Sequence, residues 1–505
     1  MAEQSILIIG AGIAGLSAGC YGQMNGYRTR ILEMNNLPGG LCTAWQRKGY
    51  TFDGCIHWLV GTNPKSSINR VWKELGATME RGVVEHEEFM RIEGPDGKTL
   101  ILYTNIDRLE EHLLALSPAD AGLIRPMTAA MRRIAGLDIP LGEPEKSLKS
   151  LIQLVGALPV LGLIRKWSAV TTREYFSRFQ DPFLRETLQR AFDMDDYPMT
   201  VMMMPLAYMH QRNAGYPIGG SLEFSKSIER RYLSLGGEIT YKARVDHILV
   251  EADSGGTARA MGVRLSDGVE IFADVVVSAA DGYATIFNML EGKFINDTIR
   301  GYYRDLPIFR PVVQISLGVK RDFRGTPSLA NFILEKPVTI AGETRQTIGF
   351  RHLSFDPGMA PAGKSVLIST INSDYDYWKK LAEDRERYEA EKQQAAITVI
   401  NELDQHFPGL KDDIEVVDIA TPLTTERYTG NWRGSIEGWM VNTRTMGMMM
   451  GTERGMKKTL PGLDNFYMVG QWVEPGGGIP PSAASGRSLI QRLCKKDGKK
   501  FVVSI

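Results

Sequence analysis

The stretch ILIIGAGIAGLSAGCYGQMNGYRTRILE, residues Ile6 to Glu33, decides the fold. Four apolar residues, Ile6 to Ile9, run straight into Gly10, Gly12 and Gly15, and a helix-like segment follows. An unbroken apolar run of this kind suits a strand buried on both faces, as in a parallel sheet. Gly10 permits the tight turn, Gly12 lets the backbone approach a pyrophosphate, and Gly15 leaves room for helix and strand to pack. The helix N-terminus then faces the phosphates with free N–H groups and a partial positive charge. A second apolar strand, Thr29 to Leu32, ends in Glu33. That acid falls about 20 residues after the glycines, where a carboxylate can accept the ribose hydroxyls of an adenosine. Strand, glycine turn, helix and acid stand in register, so the segment reads as a dinucleotide cradle.

The rest of the composition narrows the class. A chain of 505 residues is too long for one small core and predicts two or three domains, interleaved as in large cofactor enzymes. Lys plus Arg and Asp plus Glu are equal at 59 each. Zero net charge argues against nucleic acid and against electrostatic attraction to anionic membranes, leaving a small or apolar partner. Cys20, Cys42, Cys55 and Cys494 form no CxxC pair, and the seven histidines are scattered, so free thiols in a reducing, cytoplasmic setting and no metal are expected. No Lys or Arg precedes the first apolar run, unlike an export signal. Leu151 to Ile164 is interrupted by Gln153 and Pro159 and falls short of the roughly 18 residues of a spanning helix.

Beyond Glu33, Gly39 and Gly40 form a loop beside the nucleotide, and the segments around Ala44 and Tyr50 read as a hairpin turned at Lys48 and Gly49. From Asp107 to about Gln211 the spacing becomes helical, with starts at Ser117-Pro118 and Asp181-Pro182. YPIGGSLEFSKSIERRYLSLGGEITY, from Tyr216, predicts a turn, a helix and a strand, and strands follow at Val245 to Val250, Gly262 to Leu265 and Glu270 to Ser278. Residues 309–376 show β-rich runs, and Lys379 to Asn401 has the composition of one exposed amphipathic helix. The last segment, NFYMVGQWVEPGGGIPPSAASGRSLIQRL, runs from strand through a glycine loop into a helix. The reading is an α/β chain with three parts. A discontinuous dinucleotide-binding domain spans 1–75, 215–300 and 455–505, a mixed-sheet substrate domain spans 76–106 and 301–454, and a helical insertion spans 107–214.

Five separated pieces call for one explanation: the cradle, the Gly39-Gly40 loop, the Tyr216–Gly220 turn, the strand Ala273 to Ala280, and GQWVEPGGGIPP from Gly470. Together they resemble the phytoene desaturase group of flavoproteins, with its carotenoid isomerases and retinol saturases, within the amine-oxidase-like superfamily. The resemblance implies non-covalent FAD on a Rossmann-type domain. Gly10, Gly12, Ala14 and Gly15 would cradle the pyrophosphate, Glu33 would hold the ribose, Gly39, Gly40 and Leu41 would cover the diphosphate, and Val245 would meet the adenine edge. Gly470, Gln471, Gly478 and Ile479 would lie beside the ribityl chain and flavin ring. Independently of the resemblance, Pro480 and Pro481 suit the first turn of a helix whose positive end favours negative charge on a reduced flavin.

The family implies an apolar polyene or isoprenoid substrate, to which hydrogen is added or from which it is removed by hydride exchange at flavin N5, with an external electron acceptor or donor. YTFDGCIHWLVG, residues 50–61, departs from the desaturases and stands closer to retinol-saturase-like sequences. It brings His57 and Trp58 near the flavin face by resemblance. His57 reads either as a hydrogen-bonded structural histidine or as a catalytic group handling substrate or protons, and Trp58 either as packing or as substrate contact. The methionine-rich runs around Met203 and at Met446–Gly451 are either core or the soft wall of a hydrocarbon tunnel. Lys146 to Trp167 is either a buried helix pair or a monotopic membrane patch with Leu151, Leu154, Leu158 and Leu161 in lipid and Lys146, Lys149, Arg165 and Lys166 at the headgroups. Three other readings stay open: a flavin-dependent cis–trans isomerase without net redox, an amine or porphyrinogen oxidase, and a non-enzymatic prenyl-lipid escort.

Overall fold

The first strand, β1 (Ser5–Ile9), sits at the centre of a five-stranded parallel sheet in the computed structural model, which describes residues 4–138, 148–191, 197–252, 258–449 and 456–505. Its neighbours are β2 (Arg28–Leu32) on one side and Val275–Ser278 on the other, and Glu238–Thr240 and Phe466–Met468 form the edges. The helix α1 (Ile13–Met24) has no polar face, and its first ten residues are all buried. It is wedged between the sheet, the helix Gly220–Ser234 and the C-terminal helix Ile479–Lys496. Close packing explains its small residues: a Cβ on Gly15 would overlap the carbonyl oxygen of Gly10, and one on Gly486 of the C-terminal helix would meet the backbone of Ala14 and Ala18. Ser17 Oγ donates to the Ala483 carbonyl at 2.7 Å across that contact. The two ends of the chain thus make one layer.

A second sheet of seven strands carries Val312–Val319, Ser365–Asn372, Glu343–His352 and Leu329–Ile340 in antiparallel succession, with Ile414–Ala420 at one edge. Glu88–Glu93 and Thr99–Tyr103, two strands not themselves read from sequence within the 76–106 segment assigned to this domain, extend it through a parallel pairing of Arg91 with Ala330. Its helical cover differs from the single helix expected at Lys379–Asn401. Tyr375–Leu381 and Arg385–His406 are separate helices, because the Asp384 carboxylate caps the second by accepting from the N–H groups of Glu386 and Arg387. Ala395, Ala396, Val399 and Leu403 bury its inner face.

Among the described residues, six α-helices of the insertion, from Ile106–Leu116 to Met199–His210, pack around their own apolar core. Lys146 lies outside the described residues, as do the side chains of Lys149, Leu151 and Leu154. The segment that follows is one helix, Leu148–Ser168, that carries Pro159 without ending. Leu158 is 56% exposed, whereas Leu161 packs onto the insertion core. No helix among the described residues is long and apolar enough to cross a membrane.

Candidate active site

The glycine turn after β1 opens onto a cleft of about 210 Å³. Gly10, at φ +97°, turns the chain so that its N–H reaches the Leu32 carbonyl, and the Gly39-Gly40 loop folds over the turn with Gly39 N–H donating to Ala11 at 2.8 Å. Gly12, Ala14, Glu33, Gly39, Gly40, Leu41 and Val245 all line the cleft, and so do Gly470, Gln471, Gly478 and Ile479 from the far end of the sequence. Gly15 does not line it, but packs underneath against Gly10. Glu33 is buried at the end of β2, where its carboxylate accepts from Ala11 N–H at 2.8 Å and from Asn35 N–H at 2.9 Å. The cleft therefore has backbone N–H groups at a helix start, a fixed carboxylate beyond β2, and a second helix start at Gly478.

Several lining groups have no sequence signal. Asp281 accepts from Ala284 N–H at 2.7 Å and Trp432 N–H at 2.8 Å, and so ties the nucleotide sheet to the 428–437 segment. Burial pushes its carboxyl up to about 7 against those bonds. Glu437 also lines the cleft, beside the glycine loop at Gly477, and makes no hydrogen bond or ion pair among the described residues. Burial alone raises its carboxyl to about 7. These are tertiary effects, and neither residue sits in a recognisable motif.

The segment 53–58 separates this cleft from a second cavity of about 50 Å³. Cys55 faces the cleft, while Ile56, His57 and Trp58 face the cavity. His57, expected near the flavin face, is thus turned away from the cleft lining. His57 is exposed, with the Arg351 cation nearby. Asp53 fixes the segment by accepting from Ser221 N–H at 2.7 Å, Ser221 Oγ at 2.5 Å and Cys55 N–H at 2.9 Å. The Tyr216–Gly220 turn belongs here too, since Tyr216 lines the cavity rather than the cleft. Met203 is fully buried in the insertion core and lines neither space, whereas Met209 of the same helix faces the cavity. In the second methionine run, Met446 and Met448 are buried, and Met450 and Gly451 lie outside the described residues.

The profile described as flavin containing amine oxidoreductase matches residues 13–488. The chain belongs to that flavin-containing family. Among its relatives, the chloroplastic prolycopene isomerase of Arabidopsis thaliana is 26% identical, covering 97% of this chain and 83% of the relative. The neurosporene-forming phytoene desaturase of Rhodobacter capsulatus is 25% identical over 96% of this chain and 93% of its own. An oxidoreductase structure from Methanosarcina mazei superposes with a TM-score of 0.60 at 17% identity, covering 96% of this chain and 100% of that one, and shows a shared fold. The cleft suits a flavin nucleotide: the bare backbone of Gly10 and Gly12 lines it beside the turn, and a carboxylate and two helix starts meet along it.

Proposed function

We propose that this chain is an FAD-dependent oxidoreductase that adds or removes hydrogen across carbon–carbon bonds of an apolar polyene or isoprenoid lipid. The observation that carries the reading is the single cleft lined by both the N-terminal cradle and the C-terminal glycine loop. Its relatives named for carotene chemistry support the substrate class. Bound FAD supplies hydride exchange at N5 of its ring.

The chain's own residues do the rest. The start of α1 presents N–H groups to the diphosphate, the Gly39-Gly40 loop closes over it, and the Glu33 carboxylate accepts the ribose hydroxyls. The N-terminus of Ile479–Lys496 favours negative charge at the ring end. Glu437 holds or releases a proton in the cleft near neutral pH, a task that His57 is poorly placed to perform. Leu158, with the exposed Arg165 and Lys166 on the same helix, supplies a monotopic membrane contact through which an apolar substrate enters.

The purified protein is expected to be yellow and to release FAD, not FMN, on acid denaturation. A colourless protein that takes up no FAD would sink the proposal. The relatives named as prolycopene isomerases favour one second reading, cis–trans isomerisation without net redox. Product analysis separates the two: turnover after prior reduction with no electron acceptor marks an isomerase, and turnover that stops without an external acceptor or donor marks a net redox enzyme.

A further inference from the structure

Three of the chain's seven histidines, His57, His86 and His352, converge on the 50 Å³ cavity beyond Cys55, together with Arg351, Glu85 and Tyr216. A hydrocarbon tunnel has no use for such a lining. Arg351, 7% exposed, donates to the Asp53 carbonyl at 2.9 Å and, weakly, to the Ile56 carbonyl at 3.4 Å. Its Nε is buried with no partner, and the guanidinium makes no ion pair among the described residues, because the Asp53 carboxylate is taken up by Ser221 and Cys55. The rings of His57 and His86 make no hydrogen bond among the described residues, although His86 packs edge-on against Phe355 at 4.6 Å. Burial lowers His86 to about 4, so its imidazole is neutral at pH 7 and offers one donor and one acceptor, whereas the His352 ring is already engaged, donating from Nε2 to the Thr326 carbonyl at 3.2 Å and accepting at Nδ1 from Ser354 N–H at 3.2 Å.

A saturated or polyene chain offers the Arg351 guanidinium and the free imidazoles nothing to bond to, but an oxygen atom does. Trp58, Phe89, Met209 and Leu329 supply the apolar remainder of the lining, as the last carbons of a chain would need. The volume suits a terminal group of a few heavy atoms. Resting on the proposed lipid chemistry, we infer that this cavity binds the oxygen-bearing end of the substrate, a hydroxyl, carbonyl or carboxylate held by Arg351 and the free imidazoles. The natural substrate is then an oxygenated isoprenoid or polyene whose oxygen-bearing end lies on the far side of Cys55 from the flavin cleft.

The test uses the flavin-loaded protein and a C20 isoprenoid series, geranylgeraniol, geranylgeranial, geranylgeranoic acid and the matching hydrocarbon, titrated by flavin absorbance and tryptophan fluorescence. At least one oxygenated member is expected to bind ten-fold or more tightly than the hydrocarbon, and the ranking of acid, aldehyde and alcohol identifies the oxygen function. Arg351→Met and His57→Phe should each cut that advantage to three-fold or less without weakening the hydrocarbon. Arg351→Lys and the retained flavin spectrum report whether the fold survives. Equal binding of hydrocarbon and oxygenated members, or an advantage that both variants keep, overturns the inference while leaving the lipid reading intact. Failure of the whole series to bind overturns both.

Discussion

Glu437 is the most exposed of the residue-scale consequences to measurement, because its carboxyl makes no hydrogen bond or ion pair among the described residues. Burial raises it from the ordinary carboxylate range to about 7, so the folded chain binds that proton more tightly than the unfolded chain does. Its contribution to stability is therefore complete below the unfolded value, near pH 4.5, and is lost as pH rises through 7. The shift corresponds to at most about 3 kcal/mol. In flavin-free protein, Glu437→Gln should leave thermal stability unchanged at pH 4.5 and raise it at pH 8; equal melting differences at both pH values would show that the carboxyl does not titrate in this way. Glu33 could be placed from sequence because its role depends on spacing along one strand–helix–strand unit. Glu437 and Arg351 could not, because enclosure is made by segments hundreds of positions apart, and nothing in NWRGSIEGW or TIGFRHL announces it.

At the scale of elements, one buried carboxylate joins three helices. Glu74, at the end of Ser67–Glu74, accepts from Tyr21 of α1 at 2.6 Å, from Arg487 of the C-terminal helix at 3.3 Å and from Arg70 at 3.1 Å. Glu74 is fully buried and Arg487 is 9% exposed. Removing the carboxylate strands the guanidinium in the interior, so Glu74→Ala should cost about 3–5 kcal/mol, read as a lower urea midpoint at unchanged slope. A loss below 1 kcal/mol would mean that water reaches Arg487 and the junction is loose. Periodicity predicted the helix start at Asp181-Pro182, where Asp181 accepts from Leu184 N–H at 2.8 Å, whereas Ser117-Pro118 opens only a short 3-10 turn without a side-chain cap ahead of the helix at Ala121. It failed at Asp384, whose capping role splits one charged run into two helices, since Asp within such a run reads as an ordinary surface residue. It also could not rank the methionines of Met199–His210, because Met203 in the core and Met209 at the cavity differ only in which neighbours the insertion brings to them.

For the whole molecule, the arrangement of the cleft makes cofactor and fold a single cooperative object. Its walls come from residues 9–55, 243–289, 428–437 and 469–482, so a ligand filling it touches both sequence ends of the nucleotide layer and the segment that Asp281 ties to it. The two sequence ends carried the motifs and made this layer legible, whereas the seven-stranded sheet was only half visible, because Glu88–Glu93 joins it through one short parallel pairing with no local signature. A ligand that binds only the folded state stabilises it by about 2.7 kcal/mol at one hundred times its dissociation constant. Hydrogen exchange before and after refilling flavin-free protein with FAD tests how that energy is distributed. If the ends of the chain are one layer, protection should rise together in β1, α1 and Ile479–Lys496, which pack backbone to backbone at Gly486 and Ala14. Protection that rises in the N-terminal cradle alone would show that the C-terminal glycine loop closes independently and that the cleft is assembled from two units rather than one.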